Sequence, residues 1–361
     1  MVAVARRIAS PIGQSLSAYL AEATAAGSPQ QRAVAATVAA LAGAAVQISR
    51  LIAAGPYGGA HGETGGSANA DGDVQVALDL RANEFVLAAL HRAPVAYFAS
   101  EEEDAILTLA VDGTGKEERL AVAVDPLDGS SNVDVNVSIG TIFSIFGASP
   151  QGATASFFRP GRAQLAAGYF IYGPHTDLVL TLGDGVDLFV LDRESGDFHL
   201  ARSAVVIPPQ TREFAINASN YRHWFAPIRT FIDDCLEGAD GPRGKNFNMR
   251  WVASLVAETH RIFSRSGVFL YPCDRRPGYE KGRLRLLYEA FPIALLAEQA
   301  GGAATDGIEP ILDKVPGELH QRTPLIFGSV EKVRRITGYH VDPALARDLP
   351  PLFRERGLFS S

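Results

Sequence analysis

The sequence predicts an α/β (α+β) fold: one large, mostly antiparallel sheet, then a second, smaller α/β sheet domain. Three observations carry this. Residues 73–200 contain repeated short runs of β-branched and aromatic residues. A long helical repeat of apolar residues precedes them. After VVIPPQ at 205–210, strand-like and helix-like stretches alternate, as in an α/β layer. The boundary is expected near 205, dividing the chain into 1–205 and 206–361.

Val34, Val38, Leu41, Ala45, Ile48 and Ile52 fall at alternating steps of four and three, which predicts a helix over 30–53. Residues 13–25 supply a shorter partner. Residues 55–72, GPYGGAHGETGGSANADG, read as a mobile glycine-rich loop, and 80–92 as a helix. Strands are expected at 95–99, 106–111, 120–124, 137–146, 166–172, 178–182 and 186–191. In the second half, FAIN and VFLYP read as strands, and 224–237, 248–264 and 284–300 as helices.

Of the 361 residues, 47% are hydrophobic and 20% charged, and the formal net charge is −7. No long basic run exists, which argues against a nucleic-acid or anionic-membrane surface. A small phosphorylated partner needs only a local positive site. Cys235 and Cys273 stand far apart, with no CxxC knuckle, and fit a reducing cytosol. Arg6 and Arg7 are not followed by an apolar core of signal-peptide length. The uncharged stretch Ala33–Ser49 is shorter than the roughly 20 apolar residues that span a bilayer. A soluble, cytoplasmic protein is expected.

VDPLDGSSN, 124–132, holds the chemistry. Asp125 and Asp128 flank Leu127 at a strand end, so two carboxylates and the Leu127 carbonyl can face one point. An all-oxygen set suits a hard cation such as Mg²⁺. The plainer alternative is an Asx turn capping the next segment. SEEED at 100–104 also follows a strand; it is either a solvated acidic run or the other half of a shared metal site. Asp73 and Asp79, six apart, read in isolation as ordinary turn and helix-cap residues. Glu289 stands among Leu286, Leu287, Tyr288 and Phe291, where a glutamate needs a partner. That partner is a cation in a neighbouring layer, or Arg283 or Arg285.

Taken together, SEEED, DPLDGSSNVDVNVSIGTIFSIF, GYFIYGP, LYPCDRRPGYEKGRLRLLYE and EQAGG occur in an order and at intervals that resemble class I fructose-1,6-bisphosphatase, over roughly residues 45–330. The shorter D-P-x-D-G-[ST] core is shared with a wider lithium-sensitive phosphatase superfamily that includes inositol monophosphatase. The resemblance implies a layered α-β-α-β-α sandwich. It implies Mg²⁺-dependent removal of the 1-phosphate of fructose 1,6-bisphosphate, a step of both gluconeogenesis and the Calvin cycle, with Mn²⁺ or Zn²⁺ as alternative ions. Glu101, Glu102, Asp125, Asp128, Glu289 and the Leu127 carbonyl would be metal ligands. Asp79 and Glu102 would orient and deprotonate the attacking water, with Asp73 on the mobile loop. Asp128, Gly129, Ser130 and Ser131 would hold the 1-phosphate. Asn217, Tyr271 and Arg283 would hold the sugar and 6-phosphate, beside Trp251. Arg250 would reach a neighbour's 6-phosphate, which implies a homotetramer.

The sequence departs from the family pattern at two places. Arg283 stands where a lysine is usual, and Trp251 where a phosphate-contacting tyrosine is common. Both bear on substrate choice, and sedoheptulose 1,7-bisphosphate is a second candidate substrate. The positions matching the AMP site of animal members are Gln31, Ala35, Arg119, Leu120 and Gly147, so AMP inhibition by that route is expected to be weak or absent. Two other readings compete: an inositol-phosphate or nucleotide 3′-phosphatase, opposed by KGRLRLLYE and LYPC, and an inactive sugar-phosphate sensor, opposed by the full carboxylate set.

Overall fold

The computed structural model describes residues 11–55, 64–68, 74–109, 118–342 and 345. Asp73, most of the glycine-rich loop and residues 110–111 lie outside the described residues. Helix α1 (Leu16–Thr24) leads to α2 (Pro29–Ala53), which starts on a reciprocal Ser28–Gln31 capping box with Pro29 in its first turn. By length and composition α2 could cross a bilayer, at 25 residues. Instead Val34, Val38, Leu41, Ala45 and Ile48 are buried in the protein core, the ordinary fate of an apolar stripe. Strands β1 (Thr64–Ala68) and β2 (Val74–Val76) pair antiparallel before α3 (Ala77–Leu90).

The large sheet follows: β3 (Val95–Ser100), β4 (Leu107–Thr108), β5 (Leu120–Asp128) and β6 (Ile139–Gly147), then a short helix α4 (Ala153–Phe157). It continues with β7 (Gln164–Tyr172), β8 (Thr176–Thr181), β9 (Asp187–Leu191) and β10 (Phe198–Arg202). Its order is β10-β9-β8-β7-β6-β5-β3-β4, and β3 with β5 is its parallel pair. Alternation along β5 builds two faces. Leu120, Val122 and Val124 pack toward the N-terminal helices, while Ala121 and Ala123 face the other way. The alanine face has room for helices to approach closely.

The second half runs β11 (Glu213–Ala215), α5 (Ala226–Leu236), β12 (Asn248–Met249), α6 (Leu255–Arg265), β13 (Val268–Tyr271) and β14 (Leu284–Arg285). After a π-type turn at Leu286–Ala290 come α7 (Phe291–Gln299), β15 (Ala303–Thr305), β16 (Arg322–Thr323), β17 (Leu325–Gly328) and α8 (Val330–Val341). The small mixed sheet is ordered β12-β11-β13-β17-β15. Phe263 of α6 and Ile293 and Leu296 of α7 fill the core between the two sheets; α5 and α8 cover the small sheet's outer face. The layers are therefore α-β-α-β-α, as expected.

Three boundaries differ from expectation. The helix expected over 248–264 starts at Leu255, because the Ser254 side chain accepts the Ala257 N–H and fixes the cap there. The helix expected from 284 opens as β14 and a π-type turn, since β14 pairs with β16. The strand expected over 106–111 is assigned only at Leu107–Thr108. Strands β10, β15, β16 and β17 and helices α4 and α8 gave no clear signal.

Candidate active site

Strands β3 and β5 run parallel, with Ser100 beside Val124, so their C-terminal ends share one edge. The Glu101 N–H donates to the Val124 carbonyl at 3.1 Å, which sets the acidic run next to Asp125. Ser100 divides that run. Its hydroxyl accepts the Glu102 N–H at 3.2 Å and donates to Asn83 Oδ1 at 2.8 Å, and Asn83 Nδ2 donates to Glu103 at 2.7 Å. Glu103 is therefore bound to α3, and Glu101 and Glu102 line a cavity.

At the end of β5, Asp125 Oδ1 accepts the Leu127 N–H at 3.0 Å, and Pro126 O accepts the Thr141 hydroxyl at 2.8 Å. The Asx-type contact is real, but it uses one of Asp125's two oxygens. Asp128 Oδ2 accepts the Val256 N–H at 2.9 Å, in the first turn of α6, where the helix field favours an anion. Gly129 follows with φ +79°, a left-handed conformation open to glycine, and a single turn at Ser130–Asn132 carries the two serines. Glu289 comes from the π-type turn and accepts the Arg285 N–H at 2.5 Å. The Arg285 guanidinium pairs with Glu101 at 3.4 Å. Arg285 thus serves Glu289 through its backbone and Glu101 through its side chain.

These groups enclose a cavity of about 460 Å³ lined by Asp79, Glu101, Glu102, Asp125, Leu127, Asp128, Gly129, Ser130, Ser131, Tyr271, Arg283 and Glu289. Oxygen atoms of Asp125, Asp128 and Glu289, all buried, lie within 4.8 Å of one another. Burial, then Glu101, Asp128, Glu289 and Glu102, raises the Asp125 carboxyl well above the usual range. Burial pushes Asp128 up to about 6 against the Val256 hydrogen bond. Glu289 is raised well above its usual range by burial, then by Glu101 and Asp128. A cation among these oxygens would favour their charged forms and offset burial and mutual repulsion. The donors are all oxygen, so the site fits a hard divalent ion.

Three other expected residues stand apart from this cavity. Asn217 lines an adjoining cleft that shares Tyr271 and Arg283, and its Oδ1 accepts from Ser219. Arg250 is exposed, with Nε 3.5 Å from Glu213. Trp251 stacks on Phe269 and Tyr271, with centroids at 6.0 and 6.3 Å, so it buttresses the Tyr271 ring. Two cavity arginines were not expected as site residues. Arg285 had a signal, since R-L-R puts Arg283 and Arg285 on the same side of a strand. Arg322 had none; it reaches the cavity because β16 pairs it with Arg285.

Residues 16–203 match the family described as "Fructose-1-6-bisphosphatase, N-terminal domain", and 207–341 the corresponding C-terminal domain. The chain is 55% identical over 328 residues to the class 1 fructose-1,6-bisphosphatase of Rhodopseudomonas palustris (strain HaA2), covering 91% of this chain and 94% of the relative. It is 54% identical over 351 residues to that of Rhizobium meliloti (strain 1021), covering 96% and 99%. The chain belongs to the class 1 fructose-1,6-bisphosphatase family. Its fold agrees with that of a solved fructose-1,6-bisphosphatase: the holo form from Leishmania major superposes with a TM-score of 0.83 at 32% identity, covering 92% of this chain and all of that one. The T-state form of the same enzyme gives 0.78 at 30% identity, again over 92% of this chain and all of that one. The buried carboxylates on β5 and before α7 thus belong to a fructose-1,6-bisphosphatase framework.

Proposed function

We propose that this chain hydrolyses the 1-phosphate of fructose 1,6-bisphosphate to fructose 6-phosphate and inorganic phosphate, with Mg²⁺ as the working metal. The observation that carries this reading is the Asp125–Asp128–Glu289 oxygen set beside Gly129-Ser130-Ser131 and Arg283 in one cavity. Glu101, Glu102, Asp125, Asp128, Glu289 and the Leu127 carbonyl are the groups that would hold metal. When bound, the ion neutralises phosphate and leaving-group charge and lowers the pKa of water. Asp79 and Glu102, both lining the cavity, orient the attacking water and take its proton, with Asp73 as a further proposed participant. Gly129, Ser130 and Ser131 offer amides and hydroxyls to the 1-phosphate, beside Asp128. Asn217, Tyr271 and Arg283 hold the sugar and the 6-phosphate, and Trp251 fixes the Tyr271 ring. In-line displacement then rests on positioning and charge neutralisation, with no protein nucleophile.

The proposal extends to a homotetramer in which Arg250, exposed on each chain, serves a neighbour's 6-phosphate, and to a cytoplasmic location. The division near residue 205 is supported by the two family regions, which end at 203 and resume at 207. Weak AMP response is supported by a separate cleft between α1, α2 and β7. It is lined by Thr24, Ser28, Gln31, Val34, Leu165 and Asp184 among others, and among the described residues its wall holds an acid and no Lys or Arg. The test is phosphate release from fructose 1,6-bisphosphate with and without Mg²⁺, with inositol 1-phosphate as the competing substrate. Metal-independent release, or faster release from inositol phosphate, overturns the reading.

A further inference from the structure

The second half of the chain holds a cluster of cations that the proposed chemistry does not use. Lys332 stands in the first turn of α8, only 3% exposed. Its Nζ lies 5.0 Å from the centre of the Phe247 ring. Lys245 Nζ is 5.7 Å from the same ring. The Arg243 guanidinium is 5.3 Å from it and 5.7 Å from Phe231 of α5. Arg243 Nη1 is buried with no hydrogen-bond partner. Among the described residues, none of Arg243, Lys245 and Lys332 forms an ion pair with a carboxylate. Asp234 of α5 accepts a hydrogen bond from the Tyr339 hydroxyl, which Arg335 also approaches.

Aromatic faces compensate such charges only partly: a cation–π contact is worth about 0.5–2 kcal/mol, less than burying a cation costs. Lys332 is also placed against the helix field, a positive charge at a positive end. Burial, then Arg243, Lys245 and Arg335, lowers its amine to about 8. Several groups that repel one another therefore converge on one ring, and one of them is almost wholly withdrawn from water. Cations so arranged are complementary to a compact anion with two or more charges.

We propose that Arg243, Lys245 and Lys332 form a second anion site, remote from the carboxylate cavity, for a small ligand bearing a phosphate or two carboxylates. Phe247 forms its floor, and Arg335 adds longer-range charge. The site is built from residues of α5, α8 and the segment between α5 and β12. An anion there would fix that segment, which leads directly to Arg250 and Trp251.

The test is calorimetric titration of the full chain in Mg²⁺, with inorganic phosphate in one arm and succinate in the other. Wild type is expected to bind one more phosphate per chain than Lys332→Met. Arg283→Gln should keep the phosphate that Lys332→Met loses. Lys245→Gln, at a partly exposed side chain, should weaken the second site roughly tenfold without unfolding risk. Succinate binding lost in Lys332→Met assigns a dicarboxylate-accepting site; binding by phosphate alone assigns a phosphate site. At pH 8 binding should take up about half a proton, because the anion returns charge to Lys332. Equal phosphate stoichiometry and affinity in wild type, Lys332→Met and Lys245→Gln overturns the proposal. So does loss of the tetramer in Lys245→Gln with unchanged phosphate binding, which would assign the cations to carboxylates of a second copy.

Discussion

The carboxylate cavity and the Phe247 cation cluster invert one another. In the first, acids from four chain segments converge, and backbone N–H groups meet three of them: Leu127 N–H to Asp125, Val256 N–H to Asp128, Arg285 N–H to Glu289. In the second, cations converge on aromatic rings, and Arg243 keeps a nitrogen with no acceptor. The acids line an open cavity; the cations pack around a side chain. The difference is one of reach. A cavity of about 460 Å³ admits ion and substrate together, so its charge serves chemistry. A cluster folded around one ring can hold only a small counter-charge, so its charge serves binding.

The comparison breaks most visibly at Asp128. Asp128→Asn should lower turnover on the order of a thousandfold, about 4 kcal/mol, while circular dichroism stays that of the wild type. Near-normal turnover would remove Asp128 from the metal set. Next is stability without metal. The Asp128 carboxyl moves from an unfolded value of 3.8 to about 6 on folding. The folded chain holds this proton more tightly than the unfolded chain. Its contribution is therefore full below about pH 4 and is lost as pH rises through about 6. In chelator, the melting temperature should fall between pH 5 and 7.5 by a few degrees, and Mg²⁺ should abolish the fall. A melting temperature that rises over this range in chelator would refute the burial-raised Asp128 carboxyl.

Arg283 tests the cavity's one positive wall. Arg283→Lys should raise KM roughly fivefold with kcat little changed, since it keeps charge and loses the planar fork. An equal loss in kcat would place Arg283 on the reacting phosphate instead. Smallest of all is AMP: at micromolar concentration the rate should stay within about twofold, because among the described residues the α1–α2 cleft wall carries Asp184 as its one charged group. Strong inhibition relieved by changing residues 26–36 would show a nucleotide site there.

The fold was legible where side chains carry a period. The valine and alanine faces of β5 and the stripe on α2 state their partners in advance. Helix α8 was not, because VEKVRRITGYHV puts a charged residue, Lys332, among its buried positions Val333, Ile336 and Tyr339. Within the site, Glu289 was legible as an acid in an apolar run, and Arg285 through its spacing from Arg283. Arg322 was not: one arginine in a loop-like stretch acquires meaning only when β14 and β16 pair. Arg250 and Trp251 show the opposite case, chosen by resemblance and placed by folding outside the cavity wall of a single chain.

Asp128 closes β5 in the first half of the chain and takes its hydrogen bond from Val256 in the second. A carboxylate in that position is a gauge of register between the halves. A small rotation of the second half about the first would lengthen this one bond and shift Glu289 against the acids of the first half. Mechanical alignment of two layers is thereby written directly into the distance between charges.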